Sequence, residues 1–349
     1  MAIVALMRIV QIHWQISIHP ASVKMKVIKI GFQISAKNIL LTVSVLALMM
    51  FIMLFPIEAL EAAGGSVQLW FNRVLPSLLP FMIGINILSA IGFTELTGKW
   101  LTHFMKIFGV PGEGGFALAA GMGSGYPMGA KVTAELREKG LLTRIEAQRL
   151  ISFTNNSGPL FILGTVGIGM FNSKHIGYFL MLTHYIAALI TGLIFRYYKK
   201  SMGAHTDNDQ FVSFIKVHSV ERDEPLGKVL SQSVMNAMDS MVLIGGFIVF
   251  FGVICNCLML IPFFGNHTAI ATGILEMTNG LYLTQNSGLP LKIQVLTATA
   301  LISFGGLSIH AQTISMIGKT DINSSVYLLS KILHAIIAVG IGLLLYPLL

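Results

Sequence analysis

Apolar residues are grouped along this chain in runs that are long enough to cross a lipid bilayer. Two of these runs, 39–54 and 241–254, are apolar on almost every helical face. A strand of a membrane barrel would instead alternate apolar and polar residues over about ten positions. The pattern therefore predicts an all-α polytopic membrane protein.

The order of apolar and polar segments predicts two similar halves, each with a re-entrant hairpin and a discontinuous helix. In the first half the elements are the spans 38–57 and 76–93, an interfacial helix at 94–110, a hairpin at 116–131, a charged loop at 132–149, a broken span at 150–171 and a span at 176–194. In the second half they are a lead-in at 229–239, the span 241–261, the hairpin 268–287, the broken span 291–317 and the span 326–348.

This order divides the chain into five parts. They are a basic amino-terminal segment at 1–38, a first span at 39–60, a first repeat at 61–197, a cytoplasmic loop at 198–229 and a second repeat at 230–349. Residues 1–24 make a poor signal peptide and a poor span, and Met25 opens a basic stretch. We therefore expect residues 1–24 to be a start-site artefact or a dispensable interfacial segment.

The positions of the charged residues predict the orientation of these segments in the membrane. Only 11% of the 349 residues are charged, against roughly 25% in a soluble domain. With the amino terminus placed in the cytoplasm, every basic residue except Arg73, Lys174 and Lys292 falls on the cytoplasmic side. This predicts that the carboxyl terminus lies on the opposite face and that the repeats are inverted. The net charge of +8 then marks topology, and no nucleic-acid partner is expected.

The glycine-rich segment 121–131 of the first hairpin offers Ser124, Gly125, Tyr126 and Lys131 as candidate substrate-binding residues. Glycine lets a ligand approach the backbone, and exposed N–H groups at a helix start favour an anion. Close helix packing is the alternative role for the glycines. For Lys131 the alternative is snorkelling to the cytoplasmic surface.

The middle of the first broken span carries four adjacent hydrogen-bonding residues, Thr154, Asn155, Asn156 and Ser157. Polar side chains at this depth are costly in lipid, so they must face protein, water or ligand. One or two of them can serve as caps of the half-helices. We assign Asn155, Asn156 and Ser157 to the substrate.

The second half offers counterparts of these residues. Asn279, Ser308 and Gln312 are candidate substrate-binding residues, and Glu276 and His310 are candidate coupling or proton-carrying groups. The alternatives are a surface position for Glu276 and a packing role for His310.

Packing is also expected of His184 and His334 in the ordinary spans. Cys255 and Cys257 are too close together for a disulfide and lack further ligands, so no metal or cofactor is expected.

Three motifs carry a family resemblance: GMGSGYPMGAK at 121–131, FTNNSGPLFILGTVG at 153–167 and FGGLSIHAQ at 304–312. They resemble the YlbJ-type sporulation integral membrane proteins, the stage V sporulation protein V family, over about residues 25–349. The resemblance implies gate repeats of the nucleoside-recognition type, similar to those of concentrative nucleoside transporters. It also implies an endospore-forming bacterium and the movement of dipicolinic acid across the outer forespore membrane.

The expected function is therefore transport of a small organic anion such as dipicolinate, a planar dianion that requires hydrogen-bond donors and a flat apolar face. A coupling proton or Na⁺, the lipid bilayer and a homo-oligomer are compatible partners. Nucleoside transport and a structural role in a sporulation membrane complex are the alternatives. An enzyme is not expected, because neither Ser124 nor Ser157 has an evident base nearby and no G-x-S-x-G turn is present.

Overall fold

The computed structural model describes residues 36–199, 225–260 and 268–349, whose regular structure is entirely helical. This confirms the predicted all-α class. The hypothesis about residues 1–24 lies outside the described residues, as does most of the expected loop 198–229. Contacts divide the chain into a unit of residues 1–47, described only for the start of its helix, and a unit of residues 48–349 that contains all other elements.

The first half runs from α1 to α8 and includes two π-helical segments. Its elements are α1 (Ala36–Leu54), α2 (Pro56–Leu69), a π turn (Trp70–Val74), α3 (Leu75–Ala90), α4 (Phe93–Lys106), α5 (Gly114–Ser124), α6 (Met128–Glu138), α7 (Arg144–Thr154), a π helix (Leu160–Met170) and α8 (Lys174–Phe195).

The second half repeats the order of hairpin, broken helix and closing helix. Its elements are α9 (Leu226–Met259), α10 (Thr268–Leu275), α11 (Met277–Gln285), α12 (Leu291–Phe304), α13 (Gly306–Ile317), α14 (Ser324–Leu345) and a final 3-10 turn (Tyr346–Leu348). The inverted relation of the two halves stays a prediction.

Four segments of the described chain are long and apolar enough to cross a membrane: Lys174–Phe195, Leu226–Met259, Leu291–Ile317 and Ser324–Leu348. The helices on either side of Phe55 form a further apolar pair with a bend of 106°. Pro56 begins the second of them, and proline both lacks a backbone N–H and is well suited to a helix start. The protein is thus an integral membrane protein with several apolar helices.

Two sequence expectations need correction at the boundaries of elements. The charged segment 132–149 is not a loop, because α6 continues to Glu138 and α7 begins at Arg144. Thr143 and Glu146 form a capping box there, which is a strong helix-start signal. The lead-in 229–239 is also not separate from the following span, since both lie in the 34-residue helix α9. Similarly, α2, the π turn and α3 follow one another without a gap.

The hairpin α5–α6 packs its backbone directly against the end of α7. A Cβ atom on Gly121 or Gly129 would collide with the carbonyl oxygen of Thr154, and one on Gly125 would lie 2.6 Å from the backbone nitrogen of Gly158. Only glycine permits this approach. Close packing is therefore a role of Gly121, Gly125 and Gly129, and substrate binding at Gly125 stays a prediction.

The second hairpin uses the same device. A Cβ atom on Gly280 of α11 would collide with Gly273 of α10, and one on Gly306 would lie 3.1 Å from the backbone nitrogen of Met277. Gly305 and Gly306 have φ angles of +95° and +77°, which favour glycine and place the break between α12 and α13.

An ion pair and hydrogen bonds join the two halves beside the start of α14. The guanidinium of Arg137 donates to both carboxylate oxygens of Asp321, at 2.9 and 2.8 Å. The Gln148 amide donates to the Asn323 carbonyl at 3.2 Å and its oxygen accepts from the Asn323 N–H at 2.7 Å. Arg137 holds the pKa of the Asp321 carboxyl below its ordinary value.

The contact between Gly121 and the Thr154 carbonyl predicts that one added methyl group changes stability differently at two positions of α5. Gly121→Ala should destabilise the protein by about 1–3 kcal/mol, because its Cβ meets backbone that cannot rotate away. The matched change Gly123→Ala places a Cβ where no atom lies within 4 Å, so it should be neutral or slightly stabilising. Thermal unfolding in detergent measures both. Equal melting temperatures for the two variants would contradict the packing described.

The Arg137–Asp321 pair predicts a pH-dependent contribution to stability. Because the folded-state pKa of Asp321 is lowered, its contribution is complete above the unfolded carboxyl pKa of about 3.9 and is lost as the pH falls through the folded value. Asp321→Asn should lower stability at neutral pH by at most about 1 kcal/mol, since the pair is partly exposed.

The deficit of Asp321→Asn should disappear in acid, as followed by melting temperature against pH. Adding Arg137→Gln to Asp321→Asn should cost less than the sum of the single changes. A deficit that grows as the pH falls would be the opposite result.

Candidate functional site

The first broken helix is interrupted between Thr154, where α7 ends, and Leu160, where the π helix begins. Pro159 supplies no N–H donor to the helix ladder, so the preceding turn cannot continue normally. The four polar residues from Thr154 to Ser157 are at most 2% exposed. Their backbone groups must therefore find partners on other elements.

Asn155 is the centre of a buried hydrogen-bond network. Its side-chain nitrogen donates to the hydroxyl of Thr313 on α13 at 2.8 Å and to the hydroxyl of Tyr327 on α14 at 3.0 Å. The Tyr327 hydroxyl also lies 3.3 Å from that of Thr313 and 3.1 Å from Nδ1 of His310. The network thus joins the first break to two helices of the second half.

Lys331 supplies the partner of the Asn155 backbone. Its ammonium group donates to the Asn155 carbonyl and lies 5.8 Å from the centre of the Tyr126 ring. Lys331 is fully buried. The side-chain nitrogen of Lys331 therefore lies at the break itself, inside the packed helices.

Two histidines satisfy the other side of the break. The backbone N–H of Ser157 donates to Nε2 of His184 at 3.1 Å, so the neutral ring carries its proton on Nδ1 and donates to the Ser303 hydroxyl at 3.0 Å. His334 donates from Nε2 to the His184 carbonyl at 2.9 Å, and the two rings are 4.7 Å apart. His184 and His334, expected to have packing roles, are parts of this polar network.

Tyr126 joins the tip of the first hairpin to the second break. Its hydroxyl donates to the Ile302 carbonyl at 3.3 Å, and a Cβ atom on Gly305 would lie 3.3 Å from that hydroxyl. Tyr126 also faces Lys331 with its ring. The hairpin tip, the first break and the second break therefore meet in one place.

Several buried polar atoms around this place have no hydrogen-bond partner among the described residues. They are Oγ of Ser124, Oδ1 of Asn155, Oδ1 of Asn156, Nε2 of His310 and Nδ1 of His334. The two asparagine oxygens belong to the break, and His310 and His334 are hydrogen-bonded to Tyr327 and His184, which contact it. The Ser124 carbonyl lies 2.8 Å from the Cβ position of Gly158. Buried polar groups are normally paired, so these atoms mark a place that suits a polar ligand.

Lys131, a predicted binding residue, faces a different group of helices. Its ammonium group donates to Oδ1 of Asn86 on α3 at 3.4 Å and to the hydroxyl of Ser240 on α9 at 3.2 Å. These bonds do not connect it with Asn155 or Lys331. The structure therefore separates Lys131 from the site that Tyr126 reaches from the same hairpin.

The predicted residues of the second half are divided in a similar way. His310 joins the network through Tyr327, whereas Gln312 donates to the Ser308 hydroxyl at 3.4 Å on a different face of α13. Glu276 is buried and caps α11 by accepting the backbone N–H groups of Thr278 and Asn279, at 3.1 and 2.8 Å. Glu276 therefore has a structural role at this hairpin, and its coupling role stays a prediction.

Sequence reasoning missed the polar side of the last helix. Tyr327, Lys331 and His334 follow at intervals of four and three residues, so they share one face of α14. This spacing indicates a polar helix face, but α14 otherwise has the composition of an ordinary span. Lys331 was counted among the basic residues of the cytoplasmic side, and its full burial removes it from that count.

Among the described residues, no group of three His, Cys, Asp or Glu side chains is arranged to hold a metal ion. The site instead presents one ammonium group, imidazoles, hydroxyls and amides. Such a set can bind a carboxylate or hydrogen-bond the edge of a heterocycle.

Comparison with known proteins gives the same broken helix a family context. The family model of the Gate domain, described as nucleoside recognition, matches residues 71–196. The "Sporulation integral membrane protein YlbJ" of Bacillus subtilis (strain 168) is 33% identical over 319 residues, which cover 83% of this chain and 78% of that protein. The chain belongs to the YlbJ family of sporulation integral membrane proteins. No solved structure matches it.

In this YlbJ-family chain the gate match includes only part of the site. Tyr126, Asn155 and His184 lie within the matched residues, and Tyr327 and Lys331 lie beyond them. The site is thus built from gate residues together with the final helix.

The network predicts that one hydroxyl supports both halves of the site. Tyr327→Phe should destabilise the protein by about 1–3 kcal/mol, because Asn155 and His310 lose a buried partner. Tyr282→Phe is the matched control, since Tyr282 is 61% exposed. Thermal unfolding compares the variants, and a Tyr327→Phe protein as stable as the control would show that the network contributes nothing.

Proposed function

We propose that the protein transports a small organic anion, with dipicolinic acid as the first candidate, across the outer forespore membrane during sporulation. The gate match and the name of the Bacillus subtilis relative support a membrane transport-related role in sporulation. The observation that carries the proposal is the buried break at Asn155–Ser157, with its unpartnered polar atoms.

The geometry suits an anion that is bound between the two halves. Helix breaks inside a membrane protein are tolerated where protein buries them or where they line a cavity, and transporters commonly place their substrate there. The Ser124 hydroxyl is able to donate a hydrogen bond, as is Nε2 of His310 in the tautomer that protonates it, and the ring of Tyr126 provides a flat face. His310 is the proposed proton-carrying group, because its Nε2 is buried without a partner.

Nucleoside transport is the second candidate. The description of the gate model favours it, as do the unpartnered oxygens of Asn155 and Asn156, which are acceptors for the N–H groups of a base.

Uptake by proteoliposomes distinguishes these functions. We expect the protein to accumulate labelled dipicolinate and not uridine or adenosine, and a pH gradient to change the rate if a proton is coupled. Uptake of a nucleoside alone would replace the first candidate by the second. Uptake of none of these compounds would contradict the transport proposal.

The buried hydroxyl of Ser124 predicts a specific loss in one variant. Ser124→Ala removes an unpartnered donor and should lower dipicolinate uptake about tenfold, as expected for a lost buried hydrogen bond. Ser325→Ala is the control, because it removes the same group from an exposed serine. Both variants should elute as folded protein in size-exclusion chromatography. Equal uptake by the two would remove Ser124 from the site.

A further inference from the structure

We propose that Lys331 is the counter-ion of the transported molecule and binds its carboxylate group directly. This inference rests on the proposed function and adds to it a residue that neither the gate match nor the sequence motifs include. The substrate class that fits is an aromatic carboxylate.

The first step of the argument is the pairing of charges. Lys331 is fully buried, and the ion pair found among the described residues joins Arg137 and Asp321 instead. Burying an ammonium group without a counter-ion is costly, so such a group usually pairs with a charge or has a functional role. Within the described chain, Lys331 has a backbone carbonyl and an aromatic ring as its partners.

The second step is the number of donors. A lysine ammonium group has three N–H donors, and the Asn155 carbonyl takes one of them. The Tyr126 ring, at 5.8 Å, attracts the charge without accepting a conventional hydrogen bond. Donor capacity therefore remains for an oxygen anion.

The third step is the chemistry of the surroundings. Tyr327, Lys331 and His334 share one face of α14, and His334 Nδ1 has no partner among the described residues. His334 donates from Nε2 to the His184 carbonyl, so Nδ1 of the neutral ring is an acceptor, and Lys331 supplies the positive group of this face. Together with the flat ring of Tyr126, this arrangement fits a planar ring that carries carboxylates better than it fits an uncharged base.

The fourth step is position along the helix. Lys331 is seven residues after the start of α14, which corresponds to about 10 Å along the axis. Its partners Asn155 and Tyr126 come from the first break and from the tip of the first hairpin. A carboxylate on Lys331 would thus contact both halves of the protein, which is where alternating-access transporters place their substrate.

The test varies the charge of the residue and the charge of the ligand together. Purified protein is titrated with dipicolinate and with pyridine-2,6-dicarboxamide, its uncharged isostere, by isothermal calorimetry in detergent. The wild-type protein should bind dipicolinate more tightly than the dicarboxamide. In Lys331→Met the affinity for dipicolinate should fall by about 10- to 100-fold, as for a buried charge-assisted hydrogen bond, while that for the dicarboxamide changes little.

A matched control is available on the same chain. Lys292 also lies over an aromatic ring, 5.5 Å from the centre of Tyr346, but it is exposed. Lys292→Met should leave both affinities unchanged. Lys331→Gln is the second variant in case Lys331→Met does not fold, because glutamine keeps a donor for the Asn155 carbonyl without the charge.

The outcomes separate this inference from the proposed function. If the wild-type protein binds dipicolinate and the Lys331 variants bind it equally well, only the role of Lys331 is wrong. The role is also overturned if the variants lose affinity for both ligands alike, or if neither variant folds, since Lys331 is then a structural tie. If the wild-type protein binds neither ligand, the proposed transport of dipicolinate fails with it.

Discussion

The structure depends on one constraint: backbone N–H and C=O groups inside a membrane protein must be paired even where a helix is broken. The break after Thr154 meets it with groups from elsewhere in the chain. The Asn155 carbonyl accepts from Lys331, the Ser157 N–H donates to His184, and the Thr154 carbonyl lies against the glycines of the first hairpin. Satisfying the break therefore gathers the polar side chains that form the candidate site.

The same constraint explains why the two halves are interdependent. The first break is completed by α8 and α14, and Tyr126 of the first hairpin reaches the second break at Ile302. Because the hairpin meets the Thr154 carbonyl through glycine backbone, those contacts cannot absorb a displacement by side-chain rotation. A shift of the hairpin relative to α7 would consequently alter the contacts of Tyr126 and, through its ring, those of Lys331.

The sequence alone was sufficient where a residue type has one physical consequence in a membrane. Polar residues in the middle of a span predicted a break near Asn155, and the order of apolar and polar segments predicted a second broken span at 291–317; the structure contains both breaks. It was insufficient where the outcome depends on which helix face meets which neighbour. Lys131 and Tyr126 are five residues apart, yet one contacts α3 and α9 and the other contacts the second break.

The burial of Lys331 is a second outcome that depends on a contact between helices and not on residue type. When lysines and arginines are counted on each side of the membrane, a lysine near the start of a span indicates topology, because lysine side chains usually reach the interface. Here the break in another helix offers a backbone carbonyl that needs a donor, and this draws the ammonium group inward. A backbone carbonyl does not neutralise the charge of an ammonium group, whereas a carboxylate side chain in the same place would neutralise it. The break thus fixes the position of the Lys331 side chain, so that the element satisfying the backbone also places the group that we propose as the partner of an anion.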